Sequence, residues 1–364
     1  MIDKLYKIHR STEVDFISSM KDILRSIDSE GLYPLRILFF ADISSNEHYR
    51  AMKAQMRELC EAHFGEKMPL LALVAQAPLR CTLASEVTYI DNCYADEIAY
   101  HGDYVTFGDE IFSSGISYDV DAEIDIQADD IFQRVEQILS EHDCCIDDIT
   151  RQWNYIEQIT LMAERGQHYQ LFNDSRSRFY AKAQWSNGYP AATGIGTYAG
   201  GVIVVFDAVR DSAKCSLAVD NPLQISAHAY SQEVLINRGE VHKSTPKFER
   251  ARYISTPTPS VYVSGTAAIR GEESCREDAV GQAALTMENI DRLVGLENLA
   301  SSGVSQPSSM LYGAMRAYLK HGEDTERVSE WIGENYPQVD MLYLLADICR
   351  EELLIEIEGV AIAR

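Results

Sequence analysis

The chain has 364 residues, of which 46% are hydrophobic and 24% are charged, a composition typical of a folded protein with two or three domain-sized units. No segment approaches the roughly 20 consecutive apolar residues of a membrane span, and no basic stretch followed by an apolar one opens the chain. The formal net charge of −24 argues against nucleic acid or an anionic membrane as a partner, because both bind through basic patches. We therefore predict a cytoplasmic protein.

Residues 1–100 predict an N-terminal α/β unit without evident chemistry of its own. Apolar side chains recur at helical spacing over residues 15–27 and 46–64. Short apolar runs at 35–41, 69–76 and 82–90 predict buried strands between and after these helices.

From residue 104 onward, one order of elements occurs twice. The first copy predicts a strand, a helix, a strand, a helix and a strand at 104–112, 129–140, 149–156, 168–183 and 201–209. The second copy predicts a strand that leads into Ser264-Gly265, followed by elements at 278–294, 312–319, 324–335, 341–348 and 353–362.

This repeat predicts an α+β fold of tandem units, in which mixed β-sheets carry their helices on one face. We place the first unit at 101–254, together with a polar inter-unit segment, and the C-terminal unit at 255–364. The interpretation of residues 1–100 as a third, degenerate copy stays open.

The last predicted strand carries two carboxylates on one face. Because side chains alternate along a strand, Glu356 and Glu358 point to one side and the isoleucines between and before them to the other. The matching strand of the first copy, residues 204–208, has only Asp207. A site built on this carboxylate face is therefore expected once per chain, at the junction of the copies.

Several segments resemble known families. Residues 261–268, Met-Glu-Asn-Ile at 287–290 and Ile-Glu-Ile-Glu-Gly at 355–359 resemble the YjgF/RidA fold, which is also called chorismate mutase-like. Six more segments are similar to the chorismatases, or pteridine-dependent deoxygenase-like proteins: 169–173, 176–180, 189–196, 221–224, 246–251 and 346–350. The resemblance extends from about residue 150 to the end, and Lys320 departs from the arginine expected at its position.

The resemblance implies an enzyme that needs no cofactor and removes the enolpyruvyl group of chorismate as pyruvate. The other product is 3- or 4-hydroxybenzoate or a dihydroxycyclohexadiene carboxylate, and the sequence leaves the choice open because water and a ring hydroxyl compete for one intermediate. Two alternatives remain, a RidA-like imine or enamine deaminase and a non-catalytic protein that binds a small carboxylate. Both a monomer and a homo-oligomer are compatible with tandem copies.

The resemblance implies that Glu356 is the catalytic acid, and the chemistry agrees. Protonation of the weakly basic enolpyruvyl methylene carbon needs a carboxylic acid with a raised pKa, which burial and the neighbouring Glu358 would provide. Glu358 is interpreted as a buried hydrogen-bonding support. A solvated glutamate on an edge strand is the alternative for Glu356.

Further residues are candidates for binding the substrate. Arg250, in a Pro-x-Phe-x-Arg-Ala segment, can bind a carboxylate in a strongly acidic protein, and Cys349 is expected to shape the pocket. Hydroxyl groups and backbone amides around a glycine turn supply the remaining candidates: Tyr230, Tyr180, Tyr343, Ser264, Gly265 and Thr266. The histidines form no H-x-x-x-H pattern, so no metal site is predicted.

Overall fold

The computed structural model describes residues 1–229 and 245–364. Three β-sheets account for most of the strands, and two pairs of short strands lie outside them. No helix in these two ranges is long and apolar enough to cross a membrane.

The first sheet has the strand order β1-β4-β2-β3. Strands β2 and β3 are parallel, and the other neighbours are antiparallel. Asp15 begins the first helix by accepting a hydrogen bond from the Ser18 amide. The elements are β1 (Leu5–Ser11), α1 (Phe16–Ser29), β2 (Tyr33–Ala41), α2 (Asn46–Phe64), β3 (Leu70–Val74) and β4 (Leu83–Ile90).

The second sheet contains the same arrangement, β7-β12-β8-β11, extended at one edge by β6 and β5. The single strand predicted at 104–112 is wrong, because Gly108 turns the chain in a left-handed conformation and two antiparallel strands result. The elements are β5 (Ala99–Tyr100), β6 (Tyr104–Phe107), β7 (Glu110–Ser113), α3 (Ile124–Glu141), β8 (Ile149–Glu157), β9 (Met162–Ala163), β10 (Gly166–Gln167), α4 (His168–Tyr180), β11 (Ala191–Thr197) and β12 (Val202–Val209).

The third sheet repeats the arrangement as β15-β20-β18-β19 and is extended by β14 and β13. Its first two strands fall inside the range 101–254, yet they pair with the third sheet because β14 is antiparallel to β15. The elements are β13 (Ser216–Val219), β14 (Ala251–Ile254), β15 (Ser260–Ala267), β16 (Ile269–Arg270), β17 (Glu273–Ser274), α5 (Ala279–Val294), α6 (Leu296–Ser301), β18 (Met310–Leu319), α7 (Thr325–Asn335), β19 (Asp340–Leu345) and β20 (Ile355–Ala363).

The alternation along β20 separates a packed face from a polar face. Ile355 and Ile357 belong to an apolar core that also contains Met287 and Ile290 of α5. Glu356 and Glu358 point away from this helix, towards the second sheet. The helices thus cover one face of the third sheet, and the opposite face is available for a site.

Candidate active site

A cavity of about 540 Å³ lies between the second and third sheets. This volume suits a small organic molecule. Its walls come from α4, β11, β15, β20 and the segments before β14 and β20. They comprise Thr160, Gln167, Tyr169, Gln170, Asn173, Ala192, Gly194, Pro246, Phe248, Arg250, Gly265, Ala267, Ile269, Lys320, Asp347, Cys349, Arg350, Glu351, Glu352, Leu353 and Glu356.

A β-bulge in β15 shapes one wall of this cavity. The pairing of β15 with β20 shifts between Val263 and Thr266, at the Ser264-Gly265 pair. The Gly265 amide donates to the Thr193 hydroxyl of β11 at 3.1 Å, so the bulge also joins the two sheets. A Cβ on Gly265 would collide with the Glu356 carboxylate. Glycine therefore lets the acid lie against the backbone.

Glu356 lines the cavity and is 6% exposed. Burial, reinforced by the neighbouring Glu358 carboxylate, raises the pKa of Glu356 to about 8, and Arg250 acts in the opposite direction. At neutral pH this residue therefore holds a proton that it can donate into the cavity. The alternative of a solvated edge glutamate is wrong, because the side chain is buried.

Glu358 lies two residues further along the strand in a different environment. Tyr318 donates to one of its oxygens, Thr193 donates to the other at 2.5 Å, and Arg151 forms an ion pair with it. Although burial acts in the other direction, Arg316 and Arg151 lower the pKa of Glu358. This carboxylate is thus an anion that accepts hydrogen bonds, as a supporting residue would be.

Arg250 lines the cavity and is 3% exposed. One of its nitrogens donates to the Ile225 carbonyl at 2.6 Å, and its guanidinium lies 5.6 Å from the centre of the Phe248 ring. These contacts fix the orientation of a cation that faces the same cavity as Glu356. A guanidinium held in this way can pair with a carboxylate of a bound ligand.

Cys349 and Tyr169 complete the surroundings of the acid. Burial raises the pKa of the Cys349 thiol to about 12, with a further contribution from Glu356. Burial also raises the pKa of Tyr169, whose environment includes both Cys349 and Glu356. Both groups are neutral at physiological pH, so Cys349 contributes shape and a weak donor to the wall and is no activated nucleophile.

The structure brings together Glu356, Arg250, Cys349 and Gly265 among the predicted site residues. Ser264 and Thr266 flank the bulge but do not line the cavity, because their hydroxyls donate to the carbonyls of Glu249 and Ser264. Two predicted tyrosines belong to apolar cores and do not line the cavity: Tyr180 and Tyr343. Tyr230 lies outside the described residues.

Sequence reasoning missed several residues that line the cavity: Tyr169, Asn173, Phe248, Lys320 and Asp347. The first two are four positions apart on α4 and therefore share one helix face. All except Lys320 occur in the segments that resemble the chorismatases. Their position in those segments was the signal that could have identified them as lining residues. In the described part of the chain, no cluster of three or more histidine, cysteine, aspartate or glutamate residues is arranged to hold a metal ion.

Comparisons with known proteins agree with this architecture. Residues 92–208 match the family model described as chorismatase FkbO/Hyg5-like, N-terminal. A 3-hydroxybenzoate synthase of Streptomyces hygroscopicus is 32% identical over 222 residues, which cover 58% of this chain and 63% of that protein. A chorismatase of Streptomyces rapamycinicus is also 32% identical, over 220 residues and the same shares of the two chains. The matches thus span less than two thirds of these relatives.

The structural comparison extends over the whole chain. A crystal structure of a chorismatase aligns with 99% of this chain and 98% of its own length, with a TM-score of 0.69 and 20% sequence identity. The α+β fold and the resemblance to chorismatases that the motifs predicted are therefore confirmed.

Proposed function

We propose that this chain is a chorismatase-type enzyme, which removes the enolpyruvyl group of chorismate as pyruvate. The observation that carries the proposal is Glu356, a buried carboxylic acid with a pKa of about 8 that faces the same cavity as a fixed arginine. The names of the relatives, a 3-hydroxybenzoate synthase and chorismatases, support chorismate as substrate and a hydroxybenzoate among the products.

The reaction begins with proton transfer from the Glu356 carboxyl to the methylene carbon of the enolpyruvyl group. The carbon–carbon double bond supplies the electron pair for the new C–H bond, and an oxocarbenium ion forms at the adjacent carbon. A positioned acid of this kind accelerates a reaction by roughly 10²–10⁴-fold. Its pKa near the working pH favours this role, because the acid is largely protonated yet still able to release the proton.

The ether bond to the ring is then broken in one of two ways. If water adds to the oxocarbenium carbon, the hemiketal collapses to pyruvate and a dihydroxycyclohexadiene carboxylate. If the neighbouring hydroxyl oxygen instead attacks the ring carbon that carries the ether, that C–O bond breaks and pyruvate leaves. Loss of a proton from the ring then gives a hydroxybenzoate, and no water is consumed. In both cases Glu356 recovers a proton at the end of the cycle.

Cations of the cavity hold the substrate for this step. Chorismate is a dianion, and the net charge of −24 repels it at long range, so binding depends on specific cations. Arg250 lies in the same cavity as the acid and is the candidate for one carboxylate. Lys320 and Arg350 also line the cavity and are candidates for the other carboxylate.

Incubation of the purified protein with chorismate in D₂O tests the proposal. We expect pyruvate to be released with one deuterium in its methyl group, because the exchangeable proton of Glu356 is transferred to carbon. Chromatography and mass spectrometry of the second product then distinguish the hydroxybenzoates from the dihydroxycyclohexadiene carboxylate. Binding of chorismate without pyruvate release, or turnover only of amino-acid-derived imines, would overturn the proposal.

The first variant to test is Glu356→Gln, which keeps the shape of the side chain but removes the acidic proton. We expect pyruvate release to fall at least 10²-fold while chorismate still binds. Glu110→Gln is a matched control, because Glu110 is equally buried but pairs with Lys4 and does not line the cavity. This control should retain activity within about twofold, and near-normal pyruvate release from Glu356→Gln would contradict the mechanism.

A further inference from the structure

Three buried arginines connect the three sheets in a ring. Each lies on the strand that follows the first helix of its sheet, and each forms an ion pair with a carboxylate on the last strand of another sheet. The first sheet pairs with the second, the second with the third and the third with the first: Arg36 with Asp207 at 2.6 Å, Arg151 with Glu358, and Arg316 with Glu86 at 3.1 Å.

Trp153 lies at the centre of this ring. Its indole is 4.9, 4.7 and 5.7 Å from the guanidinium carbons of Arg36, Arg151 and Arg316, which are distances for cation–π attraction. One carboxylate of the ring, Glu358, lies beside the acid of the active site.

We propose that the part of this ring around Glu358 is a positioning device for the reaction, in which Arg151, Thr193 and Arg316 hold the Glu358 carboxylate as an anion beside Glu356. The inference rests on the proposed function and adds a set of positioning residues to it. None of these four residues lines the cavity, so they act on the substrate only through Glu356.

The hydrogen bonds of Glu358 fix its ionisation state. Four donors surround its two oxygens: Arg151, Arg316, Thr193 and Tyr318. A carboxylate that accepts from this many donors, two of them cationic, has no room for a proton of its own. The Thr193 hydroxyl also accepts from Arg151 at 3.2 Å and from the Gly265 amide at 3.1 Å. It therefore couples Glu358 to the bulge against which Glu356 lies.

Glu358 is the carboxylate whose charge raises the pKa of Glu356, although other carboxylates line the cavity: Asp347, Glu351 and Glu352. The remaining neighbours of Glu356 carry no negative charge. Arg250 carries the opposite charge, and the Cys349 thiol and the Tyr169 phenol stay neutral because burial raises the pKa of each. Among the groups that act on Glu356, Glu358 is thus the one that opposes its ionisation by charge. Without Glu358, the pKa of Glu356 would therefore be lower.

The other two carboxylates of the ring provide matched controls. Asp207 and Glu86 make the same kind of ion pair, but the residues two positions before them are Val205 and Ala84, where the third sheet has Glu356. Asp207→Asn therefore removes one carboxylate charge from the ring at a position that has no acid two residues before it. A purely structural role of the ring predicts equal effects on the pH profile from Asp207 and Glu358.

The test compares the pH dependence of kcat/KM for pyruvate release in Glu358→Gln and Asp207→Asn. The alkaline limb of this profile reports the pKa of the acid. For Glu358→Gln we expect this pKa to fall by at least one unit, because the neighbouring anion is lost and the charges of Arg151 and Arg316 are no longer neutralised by it. At pH 8 a shift of one unit lowers the protonated fraction of Glu356 from about one half to about one tenth, so the rate should fall at least about fivefold. Asp207→Asn should leave the limb where it is in the wild type. An unmoved limb in Glu358→Gln, or an equal shift in both variants, would overturn the proposal.

Two further measurements keep the test decisive. If Glu358→Gln does not fold, Thr193→Val and Thr193→Ser replace it. We expect Thr193→Val to lower kcat about tenfold with little change in KM and Thr193→Ser to restore it, whereas equal rates for the two would refute the coupling.

If the wild type releases no pyruvate, the proposed function has failed. NMR titration of the Glu356 carboxyl in the wild type and Glu358→Gln then tests the positioning on its own.

Discussion

Glu356 and Glu358 are identical side chains two positions apart on one face of one strand, and their surroundings drive their pKa values in opposite directions. The first has burial and a neighbouring anion, which raise its pKa. The second has two guanidiniums and two hydroxyl donors, which lower its pKa despite burial. Such divergence between two neighbouring carboxyls is the usual way in which one site obtains both an acid and a fixed anion.

The raised pKa of Glu356 makes a prediction about stability that needs no substrate. Its pKa is about 8 in the folded state and about 4.3 in an unfolded chain. The folded state therefore binds the proton more tightly, and the resulting stability, present in full below pH 4, is lost as the pH rises towards 8. Glu356→Gln has no such proton. Urea unfolding from pH 5 to pH 8.5 should show the variant gaining stability relative to the wild type, by up to about 1.4 kcal/mol per pH unit.

The same measurement on Glu110→Gln serves as the control, because that change removes a glutamate which is ion-paired with Lys4. It should destabilise the protein at pH 8.5 as well as at pH 6. If the difference between the wild type and Glu356→Gln is independent of pH, the acid is ionised in the folded protein and cannot be the proton donor.

At the scale of single elements, the bulge in β15 positions the acid. The one-residue shift in pairing places Gly265 against the Glu356 carboxylate, where a methyl group has no room unless the carboxylate moves. We expect Gly265→Ala to displace the carboxylate and to lower pyruvate release at least 10²-fold, since small displacements of a catalytic group are costly. Steady-state kinetics together with circular dichroism checks this expectation.

Gly333→Ala is the control for Gly265→Ala. Gly333 lies within α7, and nothing is within 4 Å of a Cβ at that position. Alanine should therefore stabilise the protein by about 0.5–1 kcal/mol and leave activity unchanged. Normal activity of Gly265→Ala would show that the carboxylate does not need to lie against the bulge.

Most elements could be predicted from periodicity, and the exceptions have physical reasons. Helices α1, α2, α4, α5 and α7 and most sheet strands lie where apolar spacing placed them. No strand is predicted between the helix at 168–183 and the strand at 201–209, yet β11 lies there. A Cβ at Gly196 would lie 2.8 Å from Asp347, so this glycine allows close packing within a strand. Strands β13 and β14 belong to the third sheet although they precede the expected boundary at residue 255. Pairing between strands that are distant in sequence leaves no local signal.

The candidate active site was predictable only in part. Glu356 could be found because two glutamates in an otherwise apolar strand are unusual, and Arg250 because its segment resembles a known motif. The tyrosines were weak predictions, because a buried phenol looks the same in sequence whether it packs in a core, as Tyr180 does, or lines a cavity, as Tyr169 does. The partners of Glu358 come from strands up to 207 residues away, so only the fold reveals them.

At the scale of the whole molecule, one strand order occurs three times and the carboxylates of the ring occur three times, but the acid occurs once. We propose that residues 1–100 are a third copy of the unit, because the order β1-β4-β2-β3 matches those of the other two sheets. The expectation of one site per chain follows from the positions equivalent to Glu356, which are Ala84 and Val205. The first two copies therefore have no equivalent of Glu356, and they contribute ring residues that pair with the third sheet.

The ring also makes a prediction about how the three sheets hold together. Arg36 and Asp207 are almost fully buried and belong to different sheets. Arg36→Met leaves the Asp207 carboxylate buried without its ion-pair partner, which should lower the free energy of unfolding by roughly 3–5 kcal/mol. The double variant Arg36→Met/Asp207→Leu removes both charges and replaces them with apolar volume, so it should recover most of this loss. Urea unfolding of Arg36→Met, Asp207→Leu and the double variant measures the coupling energy between the two residues. Additive losses would mean that the charges do not depend on each other, and the sheets would then be joined by apolar packing alone.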